Sequence, residues 1–213
     1  MVRFVIIRHG YSQANKEKRY SGQTDVPLDE LGYEQAAATA KYVLDHFKVD
    51  SVFSSDLSRA VHTVKPIAEA LGISVHTCRA LREVDTGDWT GKLISEVEDE
   101  YAESFKIYKE TPRISRFDGG ESYAALMARS KQAIEEIAKD HDGETVVIGT
   151  HGGVIRALRA AFGEEERAED KLIVTNGSVT VADYDDGNMN WLVLGYAEHL
   201  KKEICLKEFN LAL

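Results

Sequence analysis

The sequence predicts an α/β protein, a three-layer α/β/α sandwich with a mostly parallel central sheet. Three observations carry that expectation. The apolar runs Phe4-Val5-Ile6-Ile7 and Val146-Val147-Ile148 have the length and composition of strands buried on both faces. Segments of helical period alternate with such runs, as they do where helices cover a parallel sheet. Both runs end in a histidine, in Arg8-His9-Gly10 and in Thr150-His151-Gly152-Gly153. Ligands of open α/β sheets bind beyond the carboxyl ends of the strands, so the active site is expected there, with a glycine after each histidine to let a ligand approach the backbone.

The elements follow in order. Residues 2–7 read as a buried strand. Residues 28–47 read as a helix, because Ala36, Ala40, Val43, Leu44 and Phe47 recur at helical spacing behind a candidate N-cap, Asp29. A short strand is expected at 51–54, then a helix at 57–71 capped by Ser55 or Asp56, bent at Pro66 and stopped by Gly72. Residues 73–77 read as another strand. An amphipathic stretch near 92–109 and the loop Phe117-Asp118-Gly119-Gly120 precede a helix at about 122–140 and a strand at 145–150. A helix at 153–163 starts at the second glycine pair. Strands at 178–184 and 191–196 flank the turn Tyr184-Asp185-Asp186-Gly187-Asn188. The whole is expected to be one domain over 1–213, with a cap-like insertion at about 88–121 and a C-terminal tail at 197–213.

Composition narrows the function classes. A hydrophobic fraction of 43% and a charged fraction of 29% are those of a soluble globular chain. A net charge of −10 argues against nucleic acid or an anionic membrane as partner. No apolar stretch is long enough to span a bilayer, and the short N-terminal run is not expected to be a signal peptide. With only Cys78 and Cys205, the chain reads as cytoplasmic with free thiols. On so acidic a chain, an anionic substrate needs positive charge focused in a cleft.

The candidate site supplies that charge. His9 and His151 are imidazoles capable of nucleophilic attack or hydrogen bonding. Arg8 precedes the first, and Arg59 lies in the first turn of the helix after the 51–54 strand. Two guanidiniums beside a helix N-terminus form an oxyanion clamp. Glu83 follows a predicted strand and is a candidate proton donor, with Asp85 and Asp88 as alternatives. An anion site with a histidine nucleophile and a carboxyl acid suits phosphoryl transfer. Arg156 reads as a structural ion-pair residue, Trp89 and Trp191 as core anchors, and the remaining histidines lack metal-ligand spacing.

In Arg8-His9-Gly10-Tyr11-Ser12-Gln13-Ala14-Asn15, Ser54-Ser55-Asp56-Leu57-Ser58-Arg59, Leu81-Arg82-Glu83 with Gly87-Asp88-Trp89-Thr90-Gly91, Gly119-Gly120-Glu121-Ser122 and Gly149-Thr150-His151-Gly152-Gly153, the chain resembles the histidine phosphatase superfamily, or phosphoglycerate mutase-like family, from residue 3 to about 196. The resemblance implies that His9 carries a transient phosphohistidine, that Arg8, Arg59 and His151 bind the transferring oxygens, and that Glu83 is acid and then base. It adds the Gly152 amide and the Asn15 side chain as phosphate ligands, and leaves Ser21, Gly22, Gln23 and Thr24 divided between substrate contact and loop structure. It implies that His9 donates one ring hydrogen to a backbone carbonyl. No metal or other cofactor is expected.

Within that family the segment Val84-Asp85-Thr86 favours a phosphatase acting on a small phosphorylated substrate, because it lacks the basic residues that follow the glutamate in cofactor-dependent phosphoglycerate mutases. Such a mutase is the alternative reading, followed by a binding protein without activity. Lys92, Lys106, Lys109, Arg113 and Arg116 either face the cleft, favouring a second anionic group, or face solvent. The apolar tail either docks on the domain, covers the site or joins the partner of a homodimer.

Overall fold

The computed structural model describes residues 1–111, 115–163 and 174–200. Six strands form one sheet: β1 (Val2–Arg8), β2 (Ser51–Ser54), β3 (Val75–Thr77), β4 (Thr145–Thr150), β5 (Val179–Asp185) and β6 (Asn188–Tyr196), in the spatial order β3-β2-β4-β1-β5-β6. The first four in that order run parallel, and β5 and β6 continue the sheet antiparallel. Among the described residues the helices are α1 (Gln13–Glu17), α2 (Glu30–His46), α3 (Ser58–Leu71), α4 (Ile94–Glu100), α5 (Ala102–Glu110), α6 (Tyr123–Lys139) and α7 (Gly152–Ala161).

The three layers follow from the strand period of two. Along β1, Phe4 and Ile6 point to one face and pack with Val146 and Ile148 against Ile134 of α6 and Leu158 of α7. Val5 and Ile7 point to the other face, with Val147 and Val52, against Val43 of α2 and Ile67 of α3. Both faces being covered, β1 and β4 are apolar without alternation. At about 25 cal/mol per Å² of apolar surface, complete burial of each such side chain contributes roughly 1.5–3 kcal/mol.

Most predicted ends are observed within two residues. Asp29 caps α2 by accepting from the Gly32 amide at 2.9 Å, and Gly72 ends α3 at φ 68°. Pro66 lies inside α3. The β5–β6 turn is tighter than expected: Asp186 and Gly187 both have positive φ, the two-residue turn whose twist matches that of the strands. One expectation is corrected. Neither Ser55 nor Asp56 caps α3. The amide of Ser58 is taken by Asp25 from a distant loop at 2.7 Å, while Asp56 is held by both forks of Arg82. The amphipathic stretch near 92–109 forms two helices, α4 and α5, that meet at Tyr101. Trp191, on the edge strand β6, is partly buried and packs against the core, in keeping with its reading as a core anchor. Trp89 is fully buried, as expected. The tail beyond residue 200 and Arg113 lie outside the described residues.

Candidate active site

Parallel alignment brings the carboxyl ends of β1, β2 and β4 to one edge. The His9 amide continues the β1–β4 ladder to the Thr150 carbonyl at 2.9 Å, and the Ser55 amide continues β2–β4 to Gly149 at 2.8 Å. His9, Ser55 and His151 therefore emerge side by side, and the two imidazoles lie 5.1 Å apart between ring centres. His9, Arg59 and His151 are all buried, as are Arg8 and Glu83.

Each side chain is aimed by backbone groups. His9 Nδ1 lies 2.7 Å from the Gly10 carbonyl, which can only accept, so Nδ1 carries the hydrogen and Nε2 keeps its lone pair. His151 Nε2 lies 2.9 Å from Ser55 Oγ, and its Nδ1 has no partner. Arg59 donates to the carbonyls of Gly22 and Thr24, each at 2.8 Å, and Arg8 donates to the Val174 carbonyl. The Nε atoms of both arginines are buried without a partner. Buried donors without acceptors are costly, at about 1–3 kcal/mol each, and a bound anion would supply the missing acceptors.

Charge follows burial. Desolvation, with the neighbouring arginine charges, holds His9 and His151 well below the ordinary imidazole range, so both are neutral. Desolvation also brings Arg8 and Arg59 down to about 10, which leaves them cationic at neutral pH.

Glu83 is placed by α7. One carboxylate oxygen accepts from the Val84 amide at 2.9 Å and the other from the Gly153 amide at 3.2 Å. A Cβ on Gly153 would lie 2.2 Å from Glu83 Oε1, so the position must be glycine for the carboxylate to fit. Asp85 and Asp88 are exposed, which leaves Glu83 as the buried carboxylate of this segment. Arg8, His9, Asn15, Ser21, Gly22 and Glu83 line one cleft, with Arg19, Tyr20, Val84 and Thr86 completing its wall.

The remaining expectations divide. Asn15 uses its carbonyl oxygen for Ser12 and Asn176, which leaves its NH2 group free to face an anion. Gly22 and Thr24 hold Arg59 through their carbonyls, and Gln23 donates to the Glu83 carbonyl at 3.2 Å. The Gly152 amide lies in the first turn of α7 beside Arg8. The role expected for Gly10 is corrected: a Cβ there would strike the Gly32 carbonyl of α2 at 2.5 Å, so helix packing and not ligand approach excludes a side chain. Arg156 is corrected too, since it forms no ion pair among the described residues, and its Nε and Nη2 are buried and unpartnered. Of the cationic residues left open between cleft and solvent, Lys92 pairs with Glu100, and Lys106, Lys109 and Arg116 are exposed.

Sequence reasoning missed Arg129 and Tyr108. Arg129 binds the carbonyls of Ala80, Arg82 and Glu83 and both oxygens of Glu121, bracing the chain that carries Glu83. Tyr108 of α5 is buried close enough to Glu83 and Arg156 to feel their charges. The missed signal for Arg156 is that Gly152, Gly153, Arg159 and Ala160 occupy the helix positions where an acidic partner would stand.

A sheet-end pocket with neutral imidazoles, clamped cations and one buried carboxylate defines an α/β protein built to hold a phosphate-like anion. Residues 4–196 match the histidine phosphatase superfamily (branch 1), and the chain belongs to that superfamily. It is 37% identical to phosphoserine phosphatase 1 of Hydrogenobacter thermophilus over 76% of each chain. It is 35% identical to phosphoglycerate mutase-like protein 4 of Arabidopsis thaliana, over 93% of this chain and 86% of that one. The solved mycobacterial glucosyl-3-phosphoglycerate phosphatase with VO3 superposes at TM-score 0.84 and 30% identity, covering 92% of this chain and 99% of that one. No described helix is long and apolar enough to cross a membrane.

Proposed function

We propose that the chain is a cytoplasmic phosphomonoesterase that hydrolyses a small phosphorylated metabolite through a phosphohistidine on His9. The observation that carries this reading is the fixed tautomer of His9, with Nε2 unprotonated amid the unpartnered Arg8 Nε, Arg59 Nε and His151 Nδ1. We read the chain as one phosphoglycerate mutase-like domain in which the segment 88–121 is an insertion beside the cleft.

Nε2 of His9 attacks phosphorus as the ester oxygen leaves, and Glu83 in its acid form gives that oxygen its proton. Arg8, Arg59, the Gly152 amide and the Asn15 NH2 group hold the three equatorial oxygens, whose charge spreads in a loose transition state. Ser55 Oγ, which accepts from the Leu57 amide, donates to His151 Nε2, so that His151 Nδ1–H faces the same oxygens. Glu83, now ionised, takes a proton from water, whose oxygen attacks the phosphohistidine. Inorganic phosphate leaves and neutral His9 is restored. Every cation in these steps is a protein side chain.

Isomerase activity is the second reading, and the exposed Asp85 two residues beyond Glu83 weighs against it by repelling a second phosphate. Phosphate release from a panel of esters, set beside isomerisation of 3-phosphoglycerate with catalytic 2,3-bisphosphoglycerate, separates the two. Hydrolysis without isomerisation is expected, together with an acid-labile, base-stable phosphoenzyme that His9→Ala abolishes with all turnover. Efficient isomerisation with little hydrolysis, or a His9→Ala variant of near-normal activity, overturns the reading.

A further inference from the structure

We infer that Asn176 is a positioning residue for the hydrolysis: its side-chain amide ties the Gly10 carbonyl, which sets the His9 tautomer, to the Asn15 side chain, which faces the anion. This rests on the phosphatase reading above and deepens it by naming what holds the nucleophile still.

The segment just before β5 brackets the carboxyl end of β1. The Ser178 carbonyl accepts from the Arg8 amide at 3.2 Å, and the Gly177 amide donates to the carbonyls of Arg8 and His9 at 3.1 and 3.3 Å. The Val174 carbonyl takes the Arg8 guanidinium. Gly177 makes this turn at φ 74°, and its own carbonyl accepts from Thr39 Oγ1 of α2 at 2.9 Å, so the bracket is anchored from behind. Asn176 sits in the middle of it, buried, with its amide against the nucleophile's backbone.

The orientation of that amide follows from its neighbours. Nδ2 lies 3.0 Å from the His9 carbonyl, 3.3 Å from the Gly10 carbonyl and 3.2 Å from Asn15 Oδ1. Backbone carbonyls only accept, so the group facing them is the NH2. One of its hydrogens serves the two carbonyls, and the Gly10 carbonyl is the same group that takes the His9 Nδ1–H at 2.7 Å. The Tyr11 amide, at the other end of that peptide, donates to Gln35 Oε1 at 2.7 Å, so the peptide plane is held on both sides. The second hydrogen goes to Asn15 Oδ1, which also accepts from the Ser12 amide at 3.0 Å and so keeps its NH2 turned away from both. The His9 carbonyl already has a donor in Gly177, and satisfying it does not by itself call for Asn176. What Asn176 adds is the link between the carbonyl that orients the nucleophile and the amide that meets the phosphate. A carboxylate has no hydrogen to give and a hydroxyl has a single one, so a primary amide is the group that serves both.

The test uses Asn176→Leu, which keeps the volume but removes both donors, beside Asn176→Ala. In heteronuclear NMR of the labelled imidazoles, His9 of the wild-type enzyme should be wholly the Nδ1–H tautomer, and both variants should show it mixed with the Nε2–H form. Their kcat/KM, which reports the phosphorylation of His9, should fall by roughly 10- to 100-fold, the scale on which a misplaced reacting group is penalised. The fall should be equal for alkyl and aryl phosphates, unlike that of a Glu83 variant. Inorganic phosphate should still inhibit within severalfold of its wild-type constant, because Arg8 and Arg59 remain. Thr175→Val, which removes a neighbouring buried hydroxyl that has no partner, should leave rate and tautomer unchanged. Wild-type rates with a pure Nδ1–H tautomer in both Asn176 variants would overturn the proposal, as would a loss confined to alkyl esters. A lower urea midpoint with intact rates per folded enzyme would reduce Asn176 to a turn residue and overturn it equally. If the wild-type enzyme hydrolyses no ester, the phosphatase reading itself has failed, while the His9 tautomer still tests Asn176.

Discussion

The sheet end and the α4–α5 segment are held by different kinds of force. At the sheet end nearly every functional side chain is fixed by directional bonds to backbone: His9 to Gly10, Arg59 to Gly22 and Thr24, Glu83 to Val84 and Gly153. The α4–α5 segment is held chiefly by rings around Trp89, which contacts Tyr20, Tyr101, Phe105, Tyr108 and Phe117 at centroid distances of 4.9 to 6.2 Å. Ring packing is strong but forgiving in angle, whereas a reacting atom must be placed within a fraction of an ångström. The comparison teaches where change is tolerated. The candidate site is locked to the sheet, and the α4–α5 segment is attached by a hydrophobic joint that can be remodelled.

The largest effect should come from breaking the directional half at a residue that never touches substrate. Gly153→Ala places a Cβ where Glu83 Oε1 now stands, so the carboxylate must leave its two amides. Expelling the acid should lower kcat on alkyl phosphates by roughly 10²–10⁴-fold, the usual worth of general acid–base catalysis. Aryl phosphates, whose leaving groups need no proton, should lose far less. Glu83→Gln should reproduce the same leaving-group dependence. Equal losses on alkyl and aryl esters for both variants would remove Glu83 from the proton-transfer role.

Breaking the hydrophobic half should change stability rather than chemistry. Trp89→Ala leaves a large void among five rings and should cost about 3–5 kcal/mol in urea unfolding. Folded enzyme that remains should retain kcat on an aryl phosphate within severalfold, because the sheet end holds its own geometry. A variant that kept full stability but lost kcat would show that Trp89 positions Glu83 directly.

The same contrast explains what could be read in the sequence. His9 and His151 were legible because a buried strand announces its own end, and Arg59 and Glu83 follow at short range. Arg129 was not legible, since its role depends on reaching three carbonyls some 46 to 49 residues away. Gly10 was read as a glycine for the ligand, when the carbonyl of Gly32, brought in by α2 packing, is what forbids a side chain. Tyr108 shows the same limit: only the fold buries its ring against Trp89 and Phe117. Local pattern reveals what a segment presents, and tertiary contact decides what that segment meets.

The smallest effect is a titration that separates the two halves by pH alone. His9 and His151 are buried and neutral in the folded protein, held well below the ordinary imidazole value, first by desolvation and then by Arg59. In the unfolded chain each titrates near 6.5. Above that value neither state binds the extra proton and stability is unaffected. Below it the unfolded chain takes up protons that the native site refuses, so stability falls by about 1.4 kcal/mol per pH unit for each histidine. The aromatic joint around Trp89 has no such group. Urea midpoints of the wild-type protein and of a His9→Asn, His151→Gln variant, measured from pH 7.5 to 5.5, should diverge, with the wild-type curve the steeper. Inorganic phosphate, which needs the cations that keep these imidazoles neutral, should raise the wild-type midpoint across the whole range. Parallel slopes would mean that the two histidines protonate freely in the native state, and that the sheet end is a wetter, looser site than its burial implies.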